Sequence, residues 1–431
     1  FGFIKINSNN GSVFLNNAKI STDNTGSSGF AGFINITAAD QVNITNDSNI
    51  NSDGNLGFIS VNSTDGSVFL DNSLLTTTNS SDDPEQLAGD IFLGAQEEIS
   101  LTSSTVSSNG NFGRIFIGNS TSPQTVTLDA STLSTTNENI NGTQMSGNIS
   151  ITAINSISAN GSIVRSNASG TGNTGDITIQ ASNPDTSLVT ITGSFLDAGT
   201  FGTGEAGNVI INANRVNIDS SSVYSDIFSD TATEETKGGT IEITTESLSL
   251  TNEAFLVAGV QQEGKPGKIN VNADGGSVKL DNSSIITGKS LEDNSFVNSN
   301  GGGPINITAA SVELTNGSQL ETSTDGQLPA GDITLNLTGD LTVSGGSRLE
   351  SNTSGSGDAG NITINADGLL RDSEGVLLDQ NGDRIVDEFG FPTSDSNTLD
   401  ENGNPINPIR IGSGGTVTFE GLGSQASSCV Q

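Results

Sequence analysis

Residues able to do acid–base or nucleophilic chemistry are few in this sequence and poorly grouped. Its 431 residues include no His, one Cys (Cys429), and 14 Lys and Arg against 49 Asp and Glu. Without His there is no Ser-His-Asp or Cys-His arrangement and no His-ligated metal. One Cys supplies neither an internal disulfide nor a multi-thiolate zinc site. Base-promoted elimination would need an Arg or Lys beside cation-binding Asp, yet Arg114, Arg165, Arg215 and Arg348 stand apart from any carboxylate run. The segment Asp379-Gln-Asn381-Gly382-Asp383 has the outline of a calcium loop. An EF-hand loop, however, places Gly sixth and Glu twelfth, whereas an Asn-Gly hairpin turn between apolar runs accounts for this one. No catalytic residue, no metal ligand and no cofactor is expected, beyond calcium held loosely by the overall acidity. The chain reads as a non-enzyme.

The formal charge of −35 argues against nucleic acid, because phosphate binding needs clustered cations, and equally against anionic lipid surfaces. No apolar run approaches the roughly 18 residues of a membrane span. The chain opens at Phe1 in strand-like residues, with neither an initiator Met nor a basic-then-apolar leader, and reads as a piece of something longer. Only 32% of residues are hydrophobic and 4% aromatic, below the roughly 45–50% apolar content of globular chains. A thick multilayer core is therefore not expected.

What must position any functional residue is a repeat. A unit of the form Gly-x-Ile-x-Ile, Val-x-Leu, Ser-x-Ile-x-Thr and a Gly/Asn/Ser-rich turn begins at Gly2, Gly32, Gly57, Gly89, Gly113, Gly147, Gly175, Gly207, Gly239, Gly267, Gly303, Gly331 and Gly360, at intervals of 24 to 36 residues. Such a period means a solenoid. Apolar and polar residues alternate within each unit, as in Ile149-Ser-Ile151, which is strand periodicity. The expected fold is all-β: a right-handed parallel β-helix of about 13 three-stranded coils over residues 1–367, with the handedness following from parallel β connections. At about 4.8 Å per coil it is a rod on the order of 60 Å long. Gly at the head of each unit permits a positive φ or a close approach between coils. Extra residues gather at Thr78–Ala88, Asn137–Ser146, Ser225–Gly238 and Lys289–Gly302, so the loops should leave along one edge. Residues 368–431 read as a hairpin-containing cap or assembly region, with Gly415-Thr-Val417-Thr-Phe419 as a last strand.

Aromatic residues are unevenly placed. Ten of the 18 Phe fall within the first 116 residues. Phe3, Phe33 and Phe58 occupy a strand position where later coils carry Asn or Asp, and alternation points it outward. Phe14, Phe69, Phe92 and Phe116, each flanked by aliphatics, point outward by the same rule. An exposed aromatic row marks an interaction surface, and these seven residues are the candidate site.

The units Gly-Asn-Ile-Thr-Ile-Asn-Ala at 360–366, Gly-Asn-Ile-Ser-Ile-Thr-Ala at 147–153 and Gly-Asp-Ile-Thr-Ile at 175–179 resemble the repeats of filamentous-haemagglutinin-like exoproteins, in particular the cyanobacterial S-layer or two-partner-secretion group. The resemblance covers about residues 1–366. It implies a right-handed β-helix, export through an outer-membrane partner and a role as adhesin, surface layer or extracellular filament. The family's N-terminal secretion domain with its Asn-Pro-Asn motifs is missing; the Asn-Pro pairs here are 183–184, 404–405 and 407–408. The resulting expectation is a secreted cell-surface structural protein that self-assembles end to end or laterally and has an adhesive role. An adhesin module that binds surface glycans or a host through its loop edge is the alternative, and a polysaccharide lyase a further one.

Overall fold

The computed structural model describes residues 2–366 apart from short breaks at 25–28, 80, 82, 84, 119–121, 140–141, 230, 262, 289, 293–294 and 298–300, and beyond them 370–371, 377–378, 409–411 and 416–420. It is all-β, with no helix among the described residues. Each coil contributes three short strands, as in Phe33–Ala38, Gln41–Thr45 and Asn49–Asn51. Every strand lies parallel to its counterparts one coil away, in a register fixed by the inward aliphatics: Ile34 faces Ile59, which faces Ile91. The third strands form a thirteen-stranded sheet, and the first and second strands together a twenty-six-stranded one. These two rows join because Lys268–Asp281 and Ile305–Thr315 run through the corner as single strands. Ile34, Ile36, Val42, Ile44 and Ile50 are fully buried, and their equivalents continue the column along the rod. A core one coil wide is completed only by neighbouring coils, so 32% hydrophobic residues suffice.

The Ser and Thr of the repeat unit lie on the inward face too, as two hydroxyl ladders. At the corner before the third strand, the amide of Ser73 donates to Ser104 Oγ, Ser104 to Ser131, Ser131 to Ser162 and Ser162 to Ser194, at 3.0–3.1 Å. Each hydroxyl in turn donates to the carbonyl two residues back, as Ser131 does to Asp129 at 2.9 Å. At the corner after the third strand, Ser52, Thr135, Ser225 and Thr322 donate to the carbonyls of Gly32, Gly147, Gly207 and Gly331 at 2.5–2.7 Å. Most of these buried corner hydroxyls are thereby satisfied without water, the exceptions being Thr22 and Thr77. The heading glycines stack in a column and are required for close approach: a Cβ on Gly89 would lie 1.8 Å from Gly57 O, and one on Gly331 1.9 Å from Gly303 O. Outside, the Asn and Asp that follow them form a further ladder, with Asn208 N donating to Asp176 Oδ1 at 2.8 Å and Thr240 N to Asn208 Oδ1 at 2.9 Å.

The loops beyond the third strands also stack. Asn137, Ala168, Thr200, Ile227 and Val260 form successive single parallel bridges, and Phe201 N and Phe228 N donate to Ala168 O and Thr200 O at 2.8 Å. Within the loop at 289–302, Ser290–Glu292 pairs antiparallel with Ser295–Val297. At the far end Ile362–Ala366 lies on Ile333–Leu337, while the next two rungs come from later in the chain. Ile409–Ile411 is parallel to Leu341–Val343, and Thr416–Glu420 to Arg348–Thr353. Leu370–Arg371 pairs antiparallel with Leu377–Leu378. The Asn381-Gly382 hairpin and the calcium-loop outline at Asp379–Asp383 lie outside the described residues.

Candidate interaction surface

Outward alternation places all seven candidate phenylalanines on the strand surfaces, in two rows. On the first strands Phe3, Phe33 and Phe58 face one another across successive coils. Phe58 then faces Asp90, and Phe92 faces Phe116. The row therefore steps sideways by two residues, within the diagonal reach of aromatic side chains. From Phe33 onward it is unbroken: ring centroids are 5.5 Å apart for Phe33 and Phe58, 5.3 Å for Phe58 and Phe92, and 4.7 Å for Phe92 and Phe116, the last pair stacked. Arg114 closes it, its guanidinium 5.4 Å from the Phe116 centroid and bound to Asp90 by two hydrogen bonds of 2.9 and 2.6 Å. Those bonds push the guanidinium pKa up from its ordinary value. On the second strands, Phe14 and Phe69 are separated in register by Asn43. They do not form a continuous row. Phe3 and Phe14 are 65% and 71% exposed; Phe58, Phe69, Phe92 and Phe116 are half-buried.

Beside the aromatic row lies an open groove of about 480 Å³, lined by Phe33, Leu56, Phe58, Leu87, Phe112 and Arg114. Leu56 and Phe112 have φ of 53° and 57° and are 41% and 47% exposed. A bulky residue in the left-handed region costs roughly 1–2 kcal/mol, and backbone strain of this kind gathers at functional positions. The other non-glycine residues with positive φ are Asn, Asp, Ser, Ala and Glu. Leu56 and Leu87 did not emerge from strand alternation, since neither lies in a strand. A signal was present for Leu56 and Phe112: each directly precedes the heading glycine, where other coils carry Ala88, Ser146, Ala206 and Ala330.

Three of the four arginines named from the sequence pair with carboxylates along the rod, Arg114 with Asp90, Arg165 with Asp197 and Arg348 with Glu350. Asp197 is buried under the stacked loops and accepts from Asn167 Nδ2 and Gly199 N, both at 2.8 Å. Burial pushes its carboxyl above the ordinary value, against the pull of those bonds and of Arg165. Beside it Tyr224, also buried, is pushed up to about 12 by desolvation and packs against Phe195 and Phe228 at 5.1 and 6.0 Å. Among the described residues no three His, Cys, Asp or Glu gather as a metal site, and no helix is long and apolar enough to cross a membrane. What the first coils present is apolar contact area on a rigid support. No family model, no curated protein and no solved structure matches this chain.

Proposed function

We propose that this chain is the shaft of a secreted structural protein that builds or decorates a cell surface, and that it attaches to its neighbours through the aromatic face of its first coils. The observation that carries this reading is the unbroken row Phe33, Phe58, Phe92 and Phe116 beside a groove lined in part by two apolar residues of positive φ. The hydroxyl and glycine ladders support it by tying successive coils together. The resemblance of the repeats to filamentous-haemagglutinin-like exoproteins supports the extracellular setting. A charge of −35 keeps such rods apart at low salt, so lateral contact calls for screening or divalent cations at the aromatic face.

Antibody labelling of intact source cells tests the reading. The expected result is surface label on cells expressing the natural protein, and release of the Phe58→Ser/Phe92→Ser double variant into the medium. Label confined to the cell interior would refute the extracellular role. Equal retention of the variant would refute attachment through the aromatic row.

A further inference from the structure

Loop length along the rod is uneven in a way that builds a second, polar site. After the third strands Leu74–Thr76 and Thr132–Ser134 the chain makes the long excursions Thr78–Ala88 and Asn137–Ser146. After the intervening strand Thr105–Ser107 it turns back within Ser108–Phe112. Two inter-coil steps of about 4.8 Å thus separate two walls, and the short turn between them leaves a notch of about 330 Å³ with Asn109 and Gly110 as its floor. Gln144 Nε2 reaches across it to donate to Ser81 O at 3.2 Å, tying the two walls together.

The lining is rich in amides: Asn79, Asn109, Asn137, Asn139 and Gln144, and among the described residues that line it Glu138 alone is charged and none is Lys or Arg. Asn79, Asn137 and Gln144 are themselves buried, and the set is fixed in place before any ligand arrives. Asn79 Nδ2 donates to Leu87 O at 3.0 Å, and Asn139 Nδ2 to Gln144 Oε1 at 3.0 Å. Asn109 Oδ1 accepts from Thr136 N and Ser134 Oγ, both at 2.9 Å, which leaves its Nδ2 to donate into the notch. Neutral groups that both donate and accept match the hydroxyls of an uncharged sugar. The Glu138 carboxylate and the lack of a cation disfavour an acidic one. The volume sits at the small end of ligand sites, roughly 300–1,000 Å³.

We infer that this notch binds a short segment of a neutral glycan. The inference is independent of the shaft reading, because it concerns a different set of residues and a readout that does not depend on where the protein resides. The test is calorimetry and saturation-transfer NMR on the full chain with chitotriose, cellotriose and maltotriose, and trigalacturonate as the anionic comparison. Asn109→Asp is the decisive variant. It keeps an acceptor for Thr136 N and Ser134 Oγ, replaces the free donor with an acceptor and adds a negative charge, and Asp53 two coils earlier already makes the equivalent pair of contacts, with Thr78 N at 2.7 Å and Thr76 Oγ1 at 3.2 Å. Saturable binding of at least one neutral trisaccharide is expected, weakened about fivefold or more in Asn109→Asp, the loss expected for one hydrogen bond. Absence of binding to all three neutral probes, unchanged affinity in the variant, or equally tight binding of trigalacturonate would each overturn it.

Discussion

Replacing Gly147 by Ala tests whether the glycine column sets the spacing of the coils. A methyl group there would lie 1.7 Å from the Gly113 carbonyl oxygen and 2.4 Å from its carbon, where ordinary contact begins at 3.4 Å. Both atoms are backbone, so no rotamer change relieves the overlap and the two coils must part. Parting them stretches the bond from Ile115 N to Asn148 O, now 3.1 Å, and the one that the Thr135 hydroxyl makes to Gly147 O at 2.6 Å. Two hydrogen bonds at roughly 0.5–1.5 kcal/mol each put the loss at about 1–3 kcal/mol. Gly11→Ala is the control. Its nearest neighbour is Ser8 Oγ at 3.6 Å, so the substitution should be neutral or slightly stabilising through the unfolded chain. Coils interact mainly with their neighbours, and the damage should be local. Hydrogen exchange read by mass spectrometry should show lost protection in peptides covering 113–118 and 147–153, with 305–315 unchanged. If Gly147→Ala exchanges like Gly11→Ala throughout, the close-approach argument fails.

The serine ladder lacks a hydroxyl at Ala254, whose amide donates to Ser283 Oγ at 3.2 Å but which offers no acceptor to Ser221 on its other side. Ala254→Ser should raise stability by about 0.5–1.5 kcal/mol in denaturant unfolding; no gain would mean that the ladder is incidental to stability. Asp197 gives a pH dependence whose sign follows from its raised carboxyl pKa. The folded chain holds this proton more tightly than the unfolded one, so the contribution is greatest below the ordinary value of 3.8 and is lost as pH rises through and above it. Asp197→Asn retains an acceptor for Gly199 N and should flatten this part of the decline when unfolding midpoints are compared from about pH 4 to pH 7. Identical slopes for the variant and the natural protein would refute the assignment.

The repeat made the fold legible because a coil has few ways to bury its aliphatics, and period-two alternation named them. Alternation also carried the hydroxyl ladders: Ser48, Ile50 and Ser52 share one face, so their parity marked the serines as inward. For the surface, parity assigned each Phe to the outside but said nothing of which Phe meets which. That depends on the register between coils, set by Ile59 against Ile91, which places Asp90 and not Phe92 opposite Phe58. Leu87 and the amide notch were further out of reach, because both depend on loops that stack only once the coils beneath them are in place. The lengths were nevertheless visible, a short turn at 108–112 between two long ones, and in a solenoid a short loop between long neighbours is a cleft. Loop-length contrast between adjacent coils therefore locates a site that composition conceals: Asn and Gln spread through all 431 residues look like solvated surface, and only their convergence on one skipped loop gives them a common ligand.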